Sequence, residues 1–236
     1  MAGRAVLALA AALAAVTTAC ASDDPRRAPE PGAGSTSSGA PAPSASAGTP
    51  TPTSEPTTEP TTEPAPEPRR SFVTIEAIGL RDFPVVRYRG SPDDAPGTAL
   101  QDAGEMASPR GPGGGTGPGE IGNFIVTGHR LTGAAPLRYS PSLVRGDRIR
   151  VRSGDTVFVY EVRRTRWTSF REPASLRAQR AEVPGRPGRT ATRAMITLST
   201  CATLEDHAAG NYWSDEFKNP EHRIDKIGVL VATRPA

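Results

Sequence analysis

From residue 71 onward the sequence is a series of short strand-like runs, and this series constrains the fold more than any other feature. Glycine turns such as Arg145-Gly146-Asp147 divide the runs from one another. Seven runs are β-branched or alternately apolar: 72–78, 83–88, 122–127, 147–152, 156–162, 193–198 and 226–232. Strands this short, at this spacing, are typical of a β-barrel or a β-sandwich. We therefore predict one mostly-β domain over residues 71–236.

Helical signals are scarce in the same region. The segment 173–182 begins with proline, which a helix start favours, and it predicts one helix. The segment 98–106 is a second, shorter candidate. Residues 110–119 are nearly all glycine and proline and predict a mobile loop ahead of the strand at 122–127. The domain is thus expected to carry one or two short helices.

Residues 22–70 have a different composition and predict a disordered tether. Twelve prolines fall there among serine, threonine, alanine and glycine, with no apolar periodicity. The last part repeats in tetrads that end in proline, from 53–56 to 65–68. Regular proline favours polyproline II at about 3.1 Å per residue, so the segment could reach roughly 100 Å or more. A glycosylated stalk is the alternative, and either would act as a spacer.

Residues 1–21 resemble an export signal, with Arg4 ahead of an apolar core at 5–16 that is too short to span a bilayer comfortably. The segment VTTAC at 16–20 resembles a bacterial lipoprotein box with Cys20 as the lipid-bearing residue, although Thr17 stands where an aliphatic residue is usual. Cleavage after Ala21, or an uncleaved anchor, are the alternatives. We favour the lipoprotein, and all three place the remaining chain outside the cytoplasmic membrane.

The charge of the chain argues against nucleic acid as a partner. The formal net charge is +3, and residues from 71 onward carry 23 Lys and Arg against 18 Asp and Glu. Binding to nucleic acid would call for a dense basic stripe with interleaved aromatic residues, and the sequence has none. The excess of arginine leaves a weak attraction to anionic cell-wall polymers or lipid headgroups.

Cys201 is the candidate nucleophile of the domain. It ends the segment TLSTC at 197–201, just after an apolar run whose rigid strand would present it to a substrate. The other cysteine, Cys20, lies in the processing segment, so we expect no disulfide. A lone cysteine is more often a small buried apolar residue. Two further residues, one histidine and one arginine, favour the catalytic interpretation here.

His129 and Arg223 are those two residues. A thiol with a pKa near 8.5 is mostly protonated at neutral pH, so it benefits from a histidine that can also protonate a leaving amine. A fixed arginine can stabilise the oxyanion that forms on the attacked carbonyl. His129 follows one apolar run and Arg223 opens another. Three strand ends of one barrel can converge on a single groove.

Three neighbouring side chains have plainer interpretations. Arg130 is interpreted as a surface or structural arginine, with a substrate role as the alternative because it adjoins His129. His207 and His222 lie in or beside a polar loop and are expected to be solvated.

These residues stand in motifs that resemble those of the sortases, the surface cysteine transpeptidases of Gram-positive bacteria. TLSTC resembles the sortase signature TLxTC. PGEIGN at 118–123, followed by TGHR at 127–130, resembles the PGxxGN…GH segment, and LVRGD at 143–147 resembles the L..GD turn. The resemblance covers roughly residues 72–233. The TGHR form and the arginine-rich, tethered chain are most similar to the class E sortases of actinobacteria.

The resemblance implies a sortase-like closed β-barrel of about eight strands and assigns roles to four residues. Cys201 would be the nucleophile, His129 the general acid/base, and Arg223 the group that holds the substrate carbonyl or the oxyanion. Thr200 would help line the substrate-binding site, with its backbone near the developing negative charge.

The implied reaction cleaves a C-terminal LPxTG or LAxTG sorting signal between threonine and glycine. An amine of the peptidoglycan precursor would then resolve the thioester on Cys201. This chemistry requires neither a metal nor an organic cofactor. The enzyme would be anchored at the outer face of the membrane of a Gram-positive bacterium.

Two features depart from the class E pattern. The first is the wide interval between Cys201 and Arg223, where the extra span 205–221 is either a surface loop with its own aromatic cluster or a lid that selects substrates. The second is the lipoprotein-like start.

Competing functions are a cysteine hydrolase on the same fold and a non-catalytic lipoprotein that binds the cell wall. An L,D-transpeptidase ranks low because its SxGCxR-like motif is missing.

Overall fold

The strand-like runs pair edge to edge into one closed barrel in the computed structural model, which describes residues 70–236. The eight strands are β1 (Arg70–Ile75), β2 (Leu80–Arg89), β3 (Met106–Arg110), β4 (Gly122–Thr127), β5 (Arg148–Ser153), β6 (Thr156–Ser169), β7 (Ala194–Cys201) and β8 (His222–Pro235). Their order around the barrel is β1-β2-β3-β4-β7-β8-β6-β5. The β2–β3 and β4–β7 pairs are parallel, and the other neighbours are antiparallel. The predicted mostly-β barrel of about eight strands is confirmed.

The barrel is filled by apolar side chains that alternate along the strands, as expected when one face of a strand is buried. The core residues are Val73, Ile75, Val85, Met106, Phe124, Val126, Leu137, Leu143, Ile149, Val151, Tyr160, Val162, Ala194, Ile196 and Leu198. In β7 the inward residues are the even-numbered ones. Cys201 therefore lies on the opposite face of β7 from this core, together with Thr197 and Ser199.

Three α-helices connect strands: α1 (Ala95–Asp102), α2 (Pro173–Arg180) and α3 (Thr203–Ala208), and two single turns of 3-10 helix occur at Glu76–Ile78 and Ser140–Ser142. α1 begins earlier than the predicted segment 98–106 because Asp94 caps it, accepting a hydrogen bond from the Gly97 amide at 3.0 Å. α2 confirms the predicted helix that starts at Pro173. α3 was not predicted, since it lies in the span interpreted as a polar loop.

Several strand boundaries differ from the sequence-based ones. β3 was not predicted: the helix candidate ended at 106, the loop began at 110, and Pro109 between them obscures a strand pattern. β6 extends to Ser169 and β8 starts at His222, both well beyond the predicted limits of 162 and 226. These extensions are polar and carry no apolar alternation. Their pairing with each other, with Ser169 opposite His222, keeps them in the barrel.

The export signal at 1–21, including Cys20, and nearly all of the tether at 22–70 lie outside the described residues. Within residues 70–236, no helix combines the length and apolarity that crossing a membrane requires.

Candidate active site

Cys201 and His129 line one cavity of about 370 Å³. Cys201 is the last residue of β7, and His129 follows the end of β4. Because β4 and β7 are parallel neighbours, their carboxyl ends lie at the same rim of the barrel, and both side chains are delivered there. The rest of the lining comes from the segments that follow these strands and from α1: Asp102, Arg130, Leu131, Thr132, Thr203, Phe217, Lys218, Asn219 and Pro220.

Arg223 stands directly opposite Cys201 across the β7–β8 ladder. Directly opposed residues of an antiparallel pair share a face, so the guanidinium and the sulfur lie on the same side of the sheet. Arg223 is only 1% exposed. Its Nε donates to Asp93 Oδ2 at 3.0 Å, and the Phe170 ring lies 4.4 Å from its Cζ. Nη1 and Nη2 are buried and have no hydrogen-bond partner among the described residues.

The electrostatics of the pair keep the thiol protonated and the guanidinium charged. Burial raises the pKa of the Cys201 thiol, and Arg223 opposes that rise. Asp93 raises the same pKa further, while Arg130 lowers it. Burial is the largest single effect and acts to lower the pKa of Arg223, but Asp93, Cys201 and Asp215 together outweigh it and the net pKa is raised. The nucleophile therefore needs a base at the moment of attack.

His129 has a carboxylate partner that the sequence reading missed. Its Nε2 lies 2.7 Å from Oδ1 of Asp102, the last residue of α1. Such a contact fixes the orientation of the ring. The signal that could have placed α1 is the Asp-Asp-Ala-Pro start at 93–96, which marks a capped helix beginning there. No sequence signal tied the far end of that helix to His129.

Thr200 is placed differently from its predicted role in lining the site. Alternation along β7 turns it to the opposite face from Cys201, where it is 1% exposed. Its hydroxyl donates to the Gly128 carbonyl at 2.7 Å, and its side chain is not among those that line the cavity. The side chain therefore holds the residue before His129. The predicted role of its backbone stays a prediction.

Arg130 is a structural arginine, buried rather than on the surface. Nη2 donates to Glu205 Oε1 at 2.9 Å, and Nη1 donates to Glu205 Oε2 and to the Cys201 carbonyl, the latter at 3.2 Å. The hydrogen bonds from Arg130 hold the pKa of Glu205 below its usual range. One guanidinium thus joins the segment after β4, the end of β7 and α3.

The span 205–221 is ordered by its own polar contacts. Asp206 is buried, and its carboxylate accepts from the His222 amide at 3.0 Å and lies 2.6 Å from His222 Nδ1. The expectation that His222 is solvated was therefore wrong, because the residue is half-buried and contacts the Asp206 carboxylate; His207 is exposed as expected. Farther along, Phe217 and the three residues after it form one wall of the cavity.

Comparison with known proteins identifies the family of this fold. The family model described as the Sortase domain matches residues 73–213, more than half of the chain, and the matched stretch includes His129 and Cys201. The chain belongs to the sortase family. Sortases are generally cysteine transpeptidases of the Gram-positive cell surface, which agrees with the resemblance of the motifs. No match is found among curated proteins.

Solved sortase structures share the fold. SrtA sortase from Actinomyces oris is 18% identical with a TM-score of 0.54, over 75% of this chain and 88% of that one. Sortase E1 from Streptomyces coelicolor with a tripeptide in the active site is 25% identical with a TM-score of 0.52, over 70% and 90%. Sortase E from Streptomyces avermitilis is 23% identical with a TM-score of 0.50, over 70% and 89%. This sortase is therefore similar to class E enzymes, as its motifs indicated.

Proposed function

We propose that this sortase is a class E-like transpeptidase that cleaves an LPxTG- or LAxTG-type sorting signal between threonine and glycine. One observation supports this above all. Cys201 shares a cavity with His129 and lies directly opposite Arg223 on the neighbouring strand. A thiol, an imidazole and a guanidinium at one barrel rim are the groups that acyl transfer through a thioester requires.

In the first half-reaction the Cys201 sulfur gives its proton to His129 and attacks the threonine carbonyl carbon. The oxyanion that forms is stabilised by Arg223, whose two free Nη groups can donate to it. The bond between the threonine carbonyl carbon and the glycine nitrogen then breaks. His129 returns the proton to the departing amine, and threonine remains on Cys201 as a thioester.

In the second half-reaction an amine of the peptidoglycan precursor attacks the thioester carbonyl. His129 takes a proton from that amine, the new amide bond forms, and the sulfur leaves and regains its proton from His129. Asp102 keeps the imidazole in place through both steps by its contact with Nε2. Attack by water in place of the amine would turn the same cycle into hydrolysis.

Substrate binding has to uncover Arg223, because the guanidinium is buried and does not line the cavity. Phe170, which covers its face, belongs to the connection between β6 and α2 and not to a strand. A peptide carbonyl that reached Nη1 and Nη2 would satisfy two buried donors that otherwise have no partner. These new hydrogen bonds would stabilise the complex of enzyme and peptide.

We also propose that the enzyme is held at the outer face of the membrane. The export signal and the lipoprotein-like box at Cys20 support this location, and the proline-rich tether at 22–70 would let the barrel reach wall precursors. The partners are then secreted proteins with a C-terminal sorting signal and the precursor amine.

The test is cleavage of LPxTG and LAxTG reporter peptides, with and without a short peptide amine, followed by mass spectrometry of the products. We expect Cys201→Ala to abolish cleavage, and His129→Ala and Arg223→Ala to lower kcat by roughly 10²- to 10³-fold. Cys20→Ala is the matched control, a cysteine outside the barrel whose loss should leave the rate of peptide cleavage unchanged.

The products separate the competing functions. Transfer of threonine to the added amine supports a transpeptidase, and a free threonine carboxylate despite excess amine supports a hydrolase. Cleavage that survives Cys201→Ala would contradict both. If the wild-type chain leaves the reporter peptides intact, a wall-binding protein without this activity becomes the better account.

A further inference from the structure

Asp93 is a buried carboxylate whose only ion pair among the described residues is with Arg223. It lies in the turn between β2 and α1, has a left-handed φ of +59° and is 6% exposed. Residues other than glycine seldom adopt that conformation, so the contacts around Asp93 must hold its backbone there. Oδ2 accepts from Arg223 Nε at 3.0 Å, and Oδ1 accepts from Gln101 Nε2 at 3.0 Å. Both oxygens are thus committed to side chains from other parts of the fold.

The hydrogen bond between Asp93 and Arg223 leaves Nη1 and Nη2 of the guanidinium available to a substrate. Arginine and carboxylate commonly pair through two parallel hydrogen bonds, which would occupy an Nη group. Here the contact is through Nε, and both Nη groups remain without a partner among the described residues. The carboxylate thus secures the charge and the angle of the guanidinium without competing with a substrate oxygen.

The same carboxylate is linked to the strand that delivers His129. Gln101 Nε2 also donates to Thr127 Oγ1 at 3.2 Å, and Thr127 is the last residue of β4. The next residue of α1, Asp102, contacts His129 itself. One hydrogen-bonded chain therefore runs from Arg223 on β8, through Asp93 and Gln101, to the end of β4.

Asp93 does not serve to activate the sulfur. Its negative charge raises the pKa of the Cys201 thiol, whereas Arg223 and Arg130 lower it. Asp215 acts in the same direction as Asp93. A carboxylate that opposes thiolate formation contributes to the site through its effect on the arginine.

We propose that Asp93 is a positioning residue, which orients Arg223 so that Nη1 and Nη2 receive the substrate carbonyl and the oxyanion. This proposal rests on the proposed function, because it assigns Arg223 a partner in that reaction. Asp93 itself touches neither the substrate nor the sulfur.

The test compares Asp93→Asn with Asp94→Asn in full-length chains. Asparagine tolerates the left-handed conformation and keeps the size of the side chain while removing its charge. We expect Asp93→Asn to lower kcat roughly 10- to 100-fold and to raise KM by a smaller factor, because Arg223 acts more strongly on the oxyanion of the transition state than on the carbonyl of the bound substrate. Asp94 caps α1 and does not contact Arg223, so Asp94→Asn should keep kcat within about twofold of wild type at a temperature where it is folded.

A double-mutant cycle shows whether the effect passes through Arg223. In an Arg223→Ala background, Asp93→Asn should lower kcat no further, because the group that it positions is gone. An Asp93→Asn chain that cleaves at the wild-type rate, or whose loss persists in full in that background, would overturn the proposal. If Asp93→Asn does not fold, Gln101→Met serves instead, because it removes the other hydrogen bond to the Asp93 carboxylate. Its decrease in kcat should be smaller than that of Asp93→Asn and should likewise vanish in the Arg223→Ala background.

The pH dependence of thiol alkylation gives a readout that needs no sorting peptide. In a Cys20→Ala chain treated with iodoacetamide, Asp93→Asn should shift the alkylation of Cys201 to lower pH while turnover falls. A general loss of structure would instead expose the thiol and lower the melting temperature. An unchanged alkylation profile would contradict the effect of the Asp93 charge on this thiol, and with it the presence of that charge at the site. Failure of the wild-type chain to cleave any reporter would overturn the proposed function instead.

Discussion

Arg130 shows, at the scale of one residue, how a side chain beside a candidate catalytic histidine can serve the fold. The sequence left a surface, a structural and a substrate role open for it. Its guanidinium is buried against the Cys201 carbonyl and Glu205. Burial of a charge is tolerable only when it is paired, so the contacts on Arg130 determine its role.

Arg130→Ala is expected to destabilise the domain. The substitution removes charge-assisted hydrogen bonds to Glu205 and to the Cys201 carbonyl, and should lower the free energy of unfolding by about 2 kcal/mol. Urea denaturation followed by circular dichroism measures this change. Arg138→Ala, at an exposed arginine, is the control and should shift the midpoint little. Equal midpoints for the two variants would contradict the structural role.

The Glu205 partner gives the same ion pair a pH dependence. Because Arg130 lowers the folded-state pKa of Glu205, the carboxylate contributes stability above the unfolded-state pKa of about 4.3 and loses it as pH falls through the depressed folded-state pKa. Glu205→Gln should therefore be less stable than wild type at pH 7. The difference should shrink below about pH 4 in denaturation curves taken at both pH values. A difference that is constant with pH would contradict the pairing.

At the scale of elements, the connection between β7 and β8 shapes the cavity. It contains α3 and a turn in which Asp215 accepts from the Phe217 amide at 2.9 Å and from the Asn219 amide at 2.8 Å. Asn219 Nδ2 also donates to Asp215 at 3.0 Å. The turn holds Phe217 and Lys218 on the cavity wall. This placement favours the substrate-selecting interpretation of the span 205–221 over that of a plain surface loop, and deletion of 211–217 should alter peptide preference.

Asp215→Ala should loosen that wall. With the hydrogen bonds of the turn lost, we expect KM for a reporter peptide to rise roughly three- to tenfold, while kcat changes less. Steady-state kinetics on the LPxTG and LAxTG peptides measures both constants. Glu216→Ala, at the exposed neighbouring residue, should behave as wild type. The wall would have no part in binding if both variants kept the wild-type KM for both peptides.

The elements differ in how well the sequence predicted them. β4 was predicted at its observed limits because its apolar centre, Phe124-Ile125-Val126, is flanked by Gly122 and Asn123 on one side and by Thr127 on the other. β3 and the outer half of β6 were missed, since proline and arginine there obscure the strand pattern. Pairing with neighbours, which no single run can show, makes these segments strands.

At the scale of the whole molecule, barrel closure brings the site together. His129, Cys201 and Arg223 are far apart along the chain, yet β4, β7 and β8 are consecutive around the barrel. The rim where they meet lies outside the apolar core, so the site can be open to a peptide while the barrel interior stays closed.

The predicted anchor is also a property of the whole chain, and Cys20→Ala tests it. If Cys20 carries the lipid, the wild-type protein should fractionate with membranes, and the variant should be found mainly in the medium or the soluble fraction. Immunoblots of the fractions from an expressing Gram-positive host measure this. Cys201→Ala, which leaves the lipoprotein box intact, is the control. A variant that stays with the membrane would favour the uncleaved anchor.

The amino-acid sequence by itself determined the class of fold, the identity of the family and three of the side chains proposed for the chemistry. It could do so because strand alternation and the TLSTC and TGHR motifs are local patterns, legible within a few residues. Their meaning does not depend on how the rest of the chain is arranged.

Only the tertiary structure decided what surrounds those side chains. Asp93, Asp102 and Glu205 meet Arg223, His129 and Arg130 across long stretches of sequence, and Thr200 is turned away from the cysteine it adjoins. Burial, the partner of a charge and the face of a strand are set by barrel closure and strand register. Because these are contacts between distant segments, no local pattern in the sequence records them.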